Sequence, residues 1–111
     1  MHDKVLVLLA SRDPVVLEMG LLYARNARKN RWMAEVRLFL FGPSEIAAAT
    51  EPTLRAMIQE AIGEGLTPRA CRFCADKYGV TAPLEALGCT VEYVGEPLSE
   101  AIRAGYVPLT W

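Results

Sequence analysis

Residues 4–10 read Lys-Val-Leu-Val-Leu-Leu-Ala, and the residues that follow, Ser11-Arg12-Asp13-Pro14, carry the start signals of a helix. A continuously apolar run of this length is typical of a central strand that is buried on both faces of a sheet. Asp13 suits the position that caps a helix, and Pro14 suits the first helical turn. A buried strand followed at once by a helix predicts the opening of a parallel α/β fold.

The rest of the chain alternates between strands and helices in the same way. Further strands are predicted over 35–41, 66–70, 89–94 and 106–110, although Pro68 weakens the second of these. Helical crossovers join parallel neighbours, and their connections are right-handed. We therefore predict one domain over 1–111, a three-layer α/β/α sandwich with a mostly parallel five-stranded sheet. Its helices are predicted from Pro14, over 44–49, from Pro52 to Ile62, over 71–78 and 83–87, and from Pro97.

Composition narrows the class of protein. Apolar residues make up 52% of the 111 residues, which excludes disorder. The apolar run near the start is far shorter than the roughly 20 residues that cross a bilayer, and acidic Asp3 before it does not fit a signal peptide. We expect a soluble, cytoplasmic protein that does not act at a membrane.

The net charge of −1 argues against nucleic acid as a partner, because nucleic-acid-binding domains usually carry a basic excess. One basic cluster falls at the end of the first predicted helix, where cations favour the helix dipole. It consists of Arg25, Arg28, Lys29 and Arg31.

The most reactive sequence in the chain is Cys71-Arg-Phe-Cys74. In open parallel sheets, ligands bind beyond the carboxyl ends of the strands, and this turn is predicted to follow the third strand. Cys71 would begin a helix, where free N–H groups and the dipole lower a thiol pKa from about 8.5 towards neutrality. We predict Cys71 and Cys74 as the catalytic pair.

Three arginines are predicted to bind an anion near this pair. Arg69 and Arg72 flank Cys71 in sequence, and both would favour its thiolate. Arg12 lies on the loop after the first strand, and its guanidinium offers a fork of donors to an anion.

Other chemistries lack the residues that they need. His2 is the only histidine and precedes the first strand, so a Cys–His pair or a serine triad is not expected. Zinc needs about four ligands. The sequence offers Cys71 and Cys74 close together, and the other candidate ligands, Cys89 and His2, are distant in the chain. A zinc site would then require subunits to share ligands, so we expect no metal and no cofactor. Cys89, at the start of a strand, fits a small buried core residue.

Residues 69–80, Arg-Ala-Cys-Arg-Phe-Cys-Ala-Asp-Lys-Tyr-Gly-Val, resemble the cysteine segment of the DsrE/DsrF-like family of sulfur-relay proteins. The ending over 95–106 and the opening strand and helix are similar to the same family. The resemblance implies a small α/β/α domain that assembles as trimers or hexamers. It also implies that Cys71 carries a persulfide and exchanges sulfur with donor and acceptor proteins. Cys74 stands where some relatives have a second cysteine and others a small apolar residue.

Three functions follow from these observations. The first is a sulfur carrier that holds a persulfide on Cys71, which leaves open whether the protein is an enzyme. The second is a redox protein that cycles the Cys71–Cys74 dithiol without sulfur transfer. The third is a non-catalytic, oligomeric binding subunit, in which neither thiol reacts.

Overall fold

A sheet of five parallel strands forms the centre of the computed structural model, which describes residues 2–111 of the chain. Its strands are β1 (Lys4–Leu9), β2 (Glu35–Leu40), β3 (Arg69–Cys71), β4 (Thr90–Glu92) and β5 (Val107–Thr110). They lie in the order β4-β3-β2-β1-β5, and every neighbouring pair is parallel. The predicted α/β sandwich with a five-stranded sheet is confirmed.

Helices connect successive strands throughout the described residues. They are α1 (Pro14–Lys29), α2 (Ser44–Thr50), α3 (Pro52–Gly63), α4 (Arg72–Tyr78), α5 (Thr81–Leu87) and α6 (Gly95–Arg103). The predicted start of α1 is confirmed, because the Asp13 carboxylate accepts a 2.9 Å hydrogen bond from the N–H of Val15. No helix within 2–111 is both long enough and apolar enough to span a membrane.

Both faces of the sheet are buried, as the apolar run in β1 predicts. Val7 and Leu9 belong to a large core that also contains buried side chains of α1, α3 and α5. Leu6, on the opposite face, belongs to a smaller core with Phe39 and with Ala101 of α6. Since α6 returns the chain from β4 at one edge of the sheet to β5 at the other, a right-handed crossover places it on the opposite face from α1, α3 and α5.

The chain end packs on the first helix. Trp111 stacks on Tyr23 with ring centroids 5.7 Å apart, and its backbone N–H donates to the carbonyl of Leu8. A Cβ atom built on Gly20 would lie 2.6 Å from Leu9 Cδ2 and 2.8 Å from Trp111 Cγ. Glycine therefore allows α1, β1 and the chain end to approach closely at this point.

Several predicted boundaries differ from the structure by one to three residues, and the helix predicted from Pro97 begins at Gly95. The strand predicted over 66–70 is Arg69–Cys71, because Pro68 lacks an N–H for the ladder and stands just before it. The fourth strand covers only Thr90–Glu92 of the predicted 89–94. The helix predicted over 83–87 begins at Thr81, since α4 ends at left-handed Gly79 and proline is tolerated in a first helical turn.

Candidate functional site

The cysteine pair lies at the carboxyl end of β3, which is the end of the strand where the sequence predicts a ligand site. Cys71 is the last residue of β3 and occupies the N-cap position of α4 without a hydrogen bond from its side chain to the helix, whereas Cys74 lies in the first turn of α4. Both are free thiols and both are buried, with 6% and 8% of their surfaces exposed. They form part of the smaller core, so both thiols lie in largely dry surroundings.

A third functional group, which the sequence analysis did not identify, is the carboxyl of Glu45 in α2. It is fully buried, with an exposed fraction of 0%. Gly42, at φ 68°, turns the chain after β2, and the buried Ser44 then anchors the start of α2. The Ser44 hydroxyl donates to the carbonyl of Leu9 at 2.5 Å and accepts from the N–H of Phe41 at 3.2 Å. These bonds fix α2 above the ends of β1 and β2.

Glu45 and the two cysteines form one compact cluster. The N–H of Cys71 donates to Glu45 Oε2 at 3.1 Å. A carboxylate oxygen of Glu45 and the Sγ atoms of Cys71 and Cys74 all lie within 4.8 Å of one another. The second oxygen, Oε1, is buried and has no hydrogen-bond partner among residues 2–111. We call these three side chains the Cys-Cys-Glu cluster.

Burial raises the pKa of two members of this cluster, Glu45 and Cys74. Desolvation raises the pKa of Glu45 to about 8, although the hydrogen bond from Cys71 opposes this shift. Desolvation also raises the pKa of the Cys74 thiol, and the N–H of Gly42 opposes that increase. At neutral pH the protonated forms of Glu45 and Cys74 therefore predominate.

Arg69 is paired with an acidic partner on β4. Its guanidinium donates to both carboxylate oxygens of Glu92, at 3.1 Å and 2.8 Å, and lies 5.5 Å from the centre of the Phe39 ring. The hydrogen bond to Glu92 raises the pKa of Arg69. Because Glu92 balances its charge, Arg69 is less available to an anion than an unpaired arginine would be.

Arg72 and Arg12 occupy different surroundings. Arg72 donates to the carbonyl of Val91 at 2.9 Å and lies 4.0 Å from the Glu85 carboxylate, so it is tied to β4 and α5. Arg12 is exposed in the loop between β1 and α1. Anion binding by Arg12, Arg69 and Arg72 stays a prediction.

Cys89 lies outside the Cys-Cys-Glu cluster. It is buried in the larger core, on the other side of the sheet from Cys71 and Cys74. Burial raises the pKa of its thiol to about 12. Both observations agree with the prediction that Cys89 is a core residue.

The sequence signal for Glu45 was weak. It follows the Gly42-Pro43 turn, which lies between β2 and α2. However, a glutamate in the first turn of a helix is usually an exposed partner of the helix dipole. Only the packing of α2 against α4 and α5 shows that Glu45 points inward.

No protein-family model matches the chain, and no curated protein sequence matches it. Solved structures do match. A conserved protein of unknown function from Bacteroides thetaiotaomicron superposes with a TM-score of 0.89 at 30% identity, over 98% of this chain and 95% of that chain.

Two more distant structures are similar in fold. The ychN protein of E. coli gives a TM-score of 0.76 at 21% identity and covers 97% of this chain and 99% of its own. A protein of unknown function from Methanobacterium thermoautotrophicum gives 0.74 at 14% identity, over 97% and 98% of the two chains. All three neighbours have the DsrE-like fold. Their coverage spans nearly the whole chain, and this protein therefore belongs to the DsrE-like fold family.

Proposed function

We propose that the protein is a sulfur carrier that holds a sulfane sulfur as a persulfide on Cys71. The observation that carries the proposal is the pair of buried thiols, Cys71 and Cys74, in one compact cluster at the carboxyl edge of a DsrE-like sheet. Cys71 also stands at the position that carries the persulfide in the relatives that residues 69–80 resemble.

Uptake is an exchange reaction at sulfur. The Cys71 thiolate attacks the terminal sulfur of a donor persulfide, the S–S bond of the donor breaks, and the donor leaves as a thiolate. Cys71 then carries one additional sulfur atom, and no external oxidant or reductant is consumed. Because only 6% of Cys71 is exposed, the bound sulfur is largely shielded from water.

Two release routes are open to this pair. An acceptor thiolate can attack the terminal sulfur, which restores the Cys71 thiolate. Alternatively, the Cys74 thiolate attacks Cys71 Sγ, which forms a Cys71–Cys74 disulfide and expels hydrosulfide. The second route leaves the protein oxidised, so a dithiol reductant must then restore both thiols.

The second candidate is a dithiol redox protein, which the proximity of the two Sγ atoms favours. Here Cys71 attacks a substrate disulfide to form a mixed disulfide, and Cys74 resolves it. The substrate gains two electrons and the protein is left with an internal disulfide. No sulfur atom is transferred in this reaction.

A carrier of this kind needs protein partners, and these are part of the proposal. They are a sulfur donor and a sulfur acceptor in the cytoplasm, together with further copies of this chain in a trimer or hexamer. The apolar side chains of Phe73, Tyr93 and Ile102 are 65%, 67% and 50% exposed, and exposed apolar surface often marks an interface.

The test uses the reduced protein and inorganic polysulfide as the sulfane-sulfur donor. Intact mass spectrometry should show the addition of one sulfur atom, and peptide mapping should place it on Cys71. The addition should disappear in Cys71→Ser and persist in the matched control Cys89→Ala. A Cys71–Cys74 disulfide in wild type, together with no added sulfur on Cys71 in Cys74→Ser, would favour the redox candidate, because without Cys74 a persulfide on Cys71 cannot be lost through the internal disulfide. An unmodified wild-type protein would refute both candidates.

A further inference from the structure

The Cys-Cys-Glu cluster also has the composition of a metal site, and we propose that Glu45, Cys71 and Cys74 bind a Zn²⁺ ion. This inference goes beyond the proposed sulfur chemistry and does not depend on it. The count of ligands in the sequence omitted Glu45, which lies in α2, far along the chain from the cysteines.

The ligand atoms suit zinc in kind and in spacing. Thiolates and carboxylates are both ordinary zinc ligands, whereas Mg²⁺ and Ca²⁺ select oxygen. Bonds of about 2.3 Å to sulfur and about 2.1 Å to oxygen place the corners of a zinc tetrahedron roughly 3.5–3.8 Å apart. The three atoms already lie within 4.8 Å of one another. Shifts of about 1 Å or less would complete the geometry.

The Glu45 carboxyl has an oxygen atom without a partner among residues 2–111, which also indicates a bound ion. Its Oε1 atom is buried without a hydrogen-bond partner in the described part of the chain. Such groups are rare in folded proteins, and an ion is one of the partners that accounts for them. The other oxygen, Oε2, is held by the N–H of Cys71, which fixes the orientation of the carboxyl as outer contacts do in known metal sites.

Three protein ligands leave one tetrahedral position open. Structural zinc sites are closed by four protein ligands, whereas sites with three keep the fourth for water or an exogenous ligand. Two thiolates and one carboxylate carry three negative charges, so the metal offsets most of the repulsion among buried anions. The site therefore suits Zn²⁺ with a small ligand in the fourth position.

Metal binding and sulfur uptake would compete, because they use the same sulfur atoms. Saturating Zn²⁺ should block the addition of sulfur to Cys71 by polysulfide, and a chelator should restore it. This consequence rests on the proposed function. The binding of the metal itself is measured without any sulfur donor, so failure of one proposal is distinguishable from failure of the other.

The experiment titrates the reduced full-length protein with Co²⁺ and then with Zn²⁺. We expect one Co²⁺ per chain, a thiolate-to-cobalt absorption band in the near ultraviolet, and visible bands of tetrahedral intensity. Zn²⁺ should displace the cobalt and abolish these bands, whereas Mg²⁺ should not.

Variants identify the ligands. Glu45→Gln and Cys74→Ser should each weaken cobalt binding by at least about 100-fold, the upper end of the loss caused by removing an outer-shell partner. Cys89→Ala removes a thiol outside the cluster and should bind cobalt like wild type. Circular dichroism establishes that each variant is folded, and Cys74→Ala replaces Cys74→Ser if the latter is not. Absence of thiolate bands in wild type, or wild-type affinity in Glu45→Gln, would overturn the proposal.

Discussion

Replacing Glu45 with glutamine should stabilise the metal-free protein at neutral pH. The ordinary pKa of this carboxyl is 4.5, and burial raises it to about 8 in the folded state. Between these values the unfolded chain carries an ionised Glu45 and the folded chain a protonated one. The folded state therefore binds more protons, and stability decreases as the pH rises. Glutamine does not ionise, so Glu45→Gln lacks this dependence.

The magnitude follows from the two pKa values. The difference between 4.5 and about 8 corresponds to about 5 kcal/mol of unfolding free energy. The wild-type protein has this full stability below pH 4.5 and loses it as the pH rises to about 8. Glutamine also destabilises the folded state, because its amide would place an unpaired N–H donor where the buried Oε1 atom now lies. This unpaired donor costs about 1–3 kcal/mol. Near pH 7.5 the loss for wild type is about 4 kcal/mol, so we expect Glu45→Gln to be more stable by about 1–3 kcal/mol.

The assay is urea unfolding followed by circular dichroism, with reductant and chelator present, at several pH values between 4.5 and 8. The difference in unfolding free energy between variant and wild type should increase steadily with pH, and the m-values should agree. A difference that does not change with pH would contradict this prediction, because it would mean that Glu45 ionises as readily in the folded as in the unfolded state.

Three further predictions use other parts of the fold. Glu64→Gln should change the unfolding free energy in the opposite direction to Glu45→Gln. Arg25 lowers the pKa of Glu64, so the variant should be less stable than wild type at neutral pH. Urea unfolding should show that this loss vanishes in acid. Gly20→Ala should lower the unfolding free energy by about 1–2 kcal/mol, because overpacking against Leu9 and Trp111 outweighs the gain in helix propensity; an unchanged urea midpoint would contradict it. All cysteines are buried, so a chromogenic thiol reagent should modify the native protein at least about tenfold more slowly than the urea-unfolded chain, and equal rates would contradict their burial.

Local signals explain which parts of the fold could be predicted. The apolar run that predicts β1 and the Asp13-Pro14 pair that predicts the start of α1 depend only on residues close together in the chain. Both elements are confirmed. The third strand is different, because it is only three residues long and owes its place to pairing with β2 and β4. Tertiary pairing therefore decided its boundaries, which the sequence pattern alone placed too early.

In the candidate site, too, local features could be predicted from the sequence, whereas contacts across the fold could not. The Cys71-Cys74 spacing is local, and its location at the end of a strand could be predicted from the alternation of elements. The role of Glu45 depends on how α2 is anchored by Ser44 on β1, which is a contact across the fold. The partner of Arg69 is also distant in sequence, since Glu92 lies on the neighbouring strand. Charges that meet only in three dimensions were therefore not predicted.

The most direct test of the proposed function follows one sulfur atom through uptake and release. Reduced protein is loaded with radiolabelled polysulfide, freed of donor, and mixed with excess small thiol as acceptor. We expect wild type and Cys89→Ala to retain the label until the acceptor is added and then to transfer it, whereas Cys71→Ser should never acquire it. Label that binds equally well to Cys71→Ser, or that never leaves wild type for the acceptor, would contradict a sulfur carrier at Cys71.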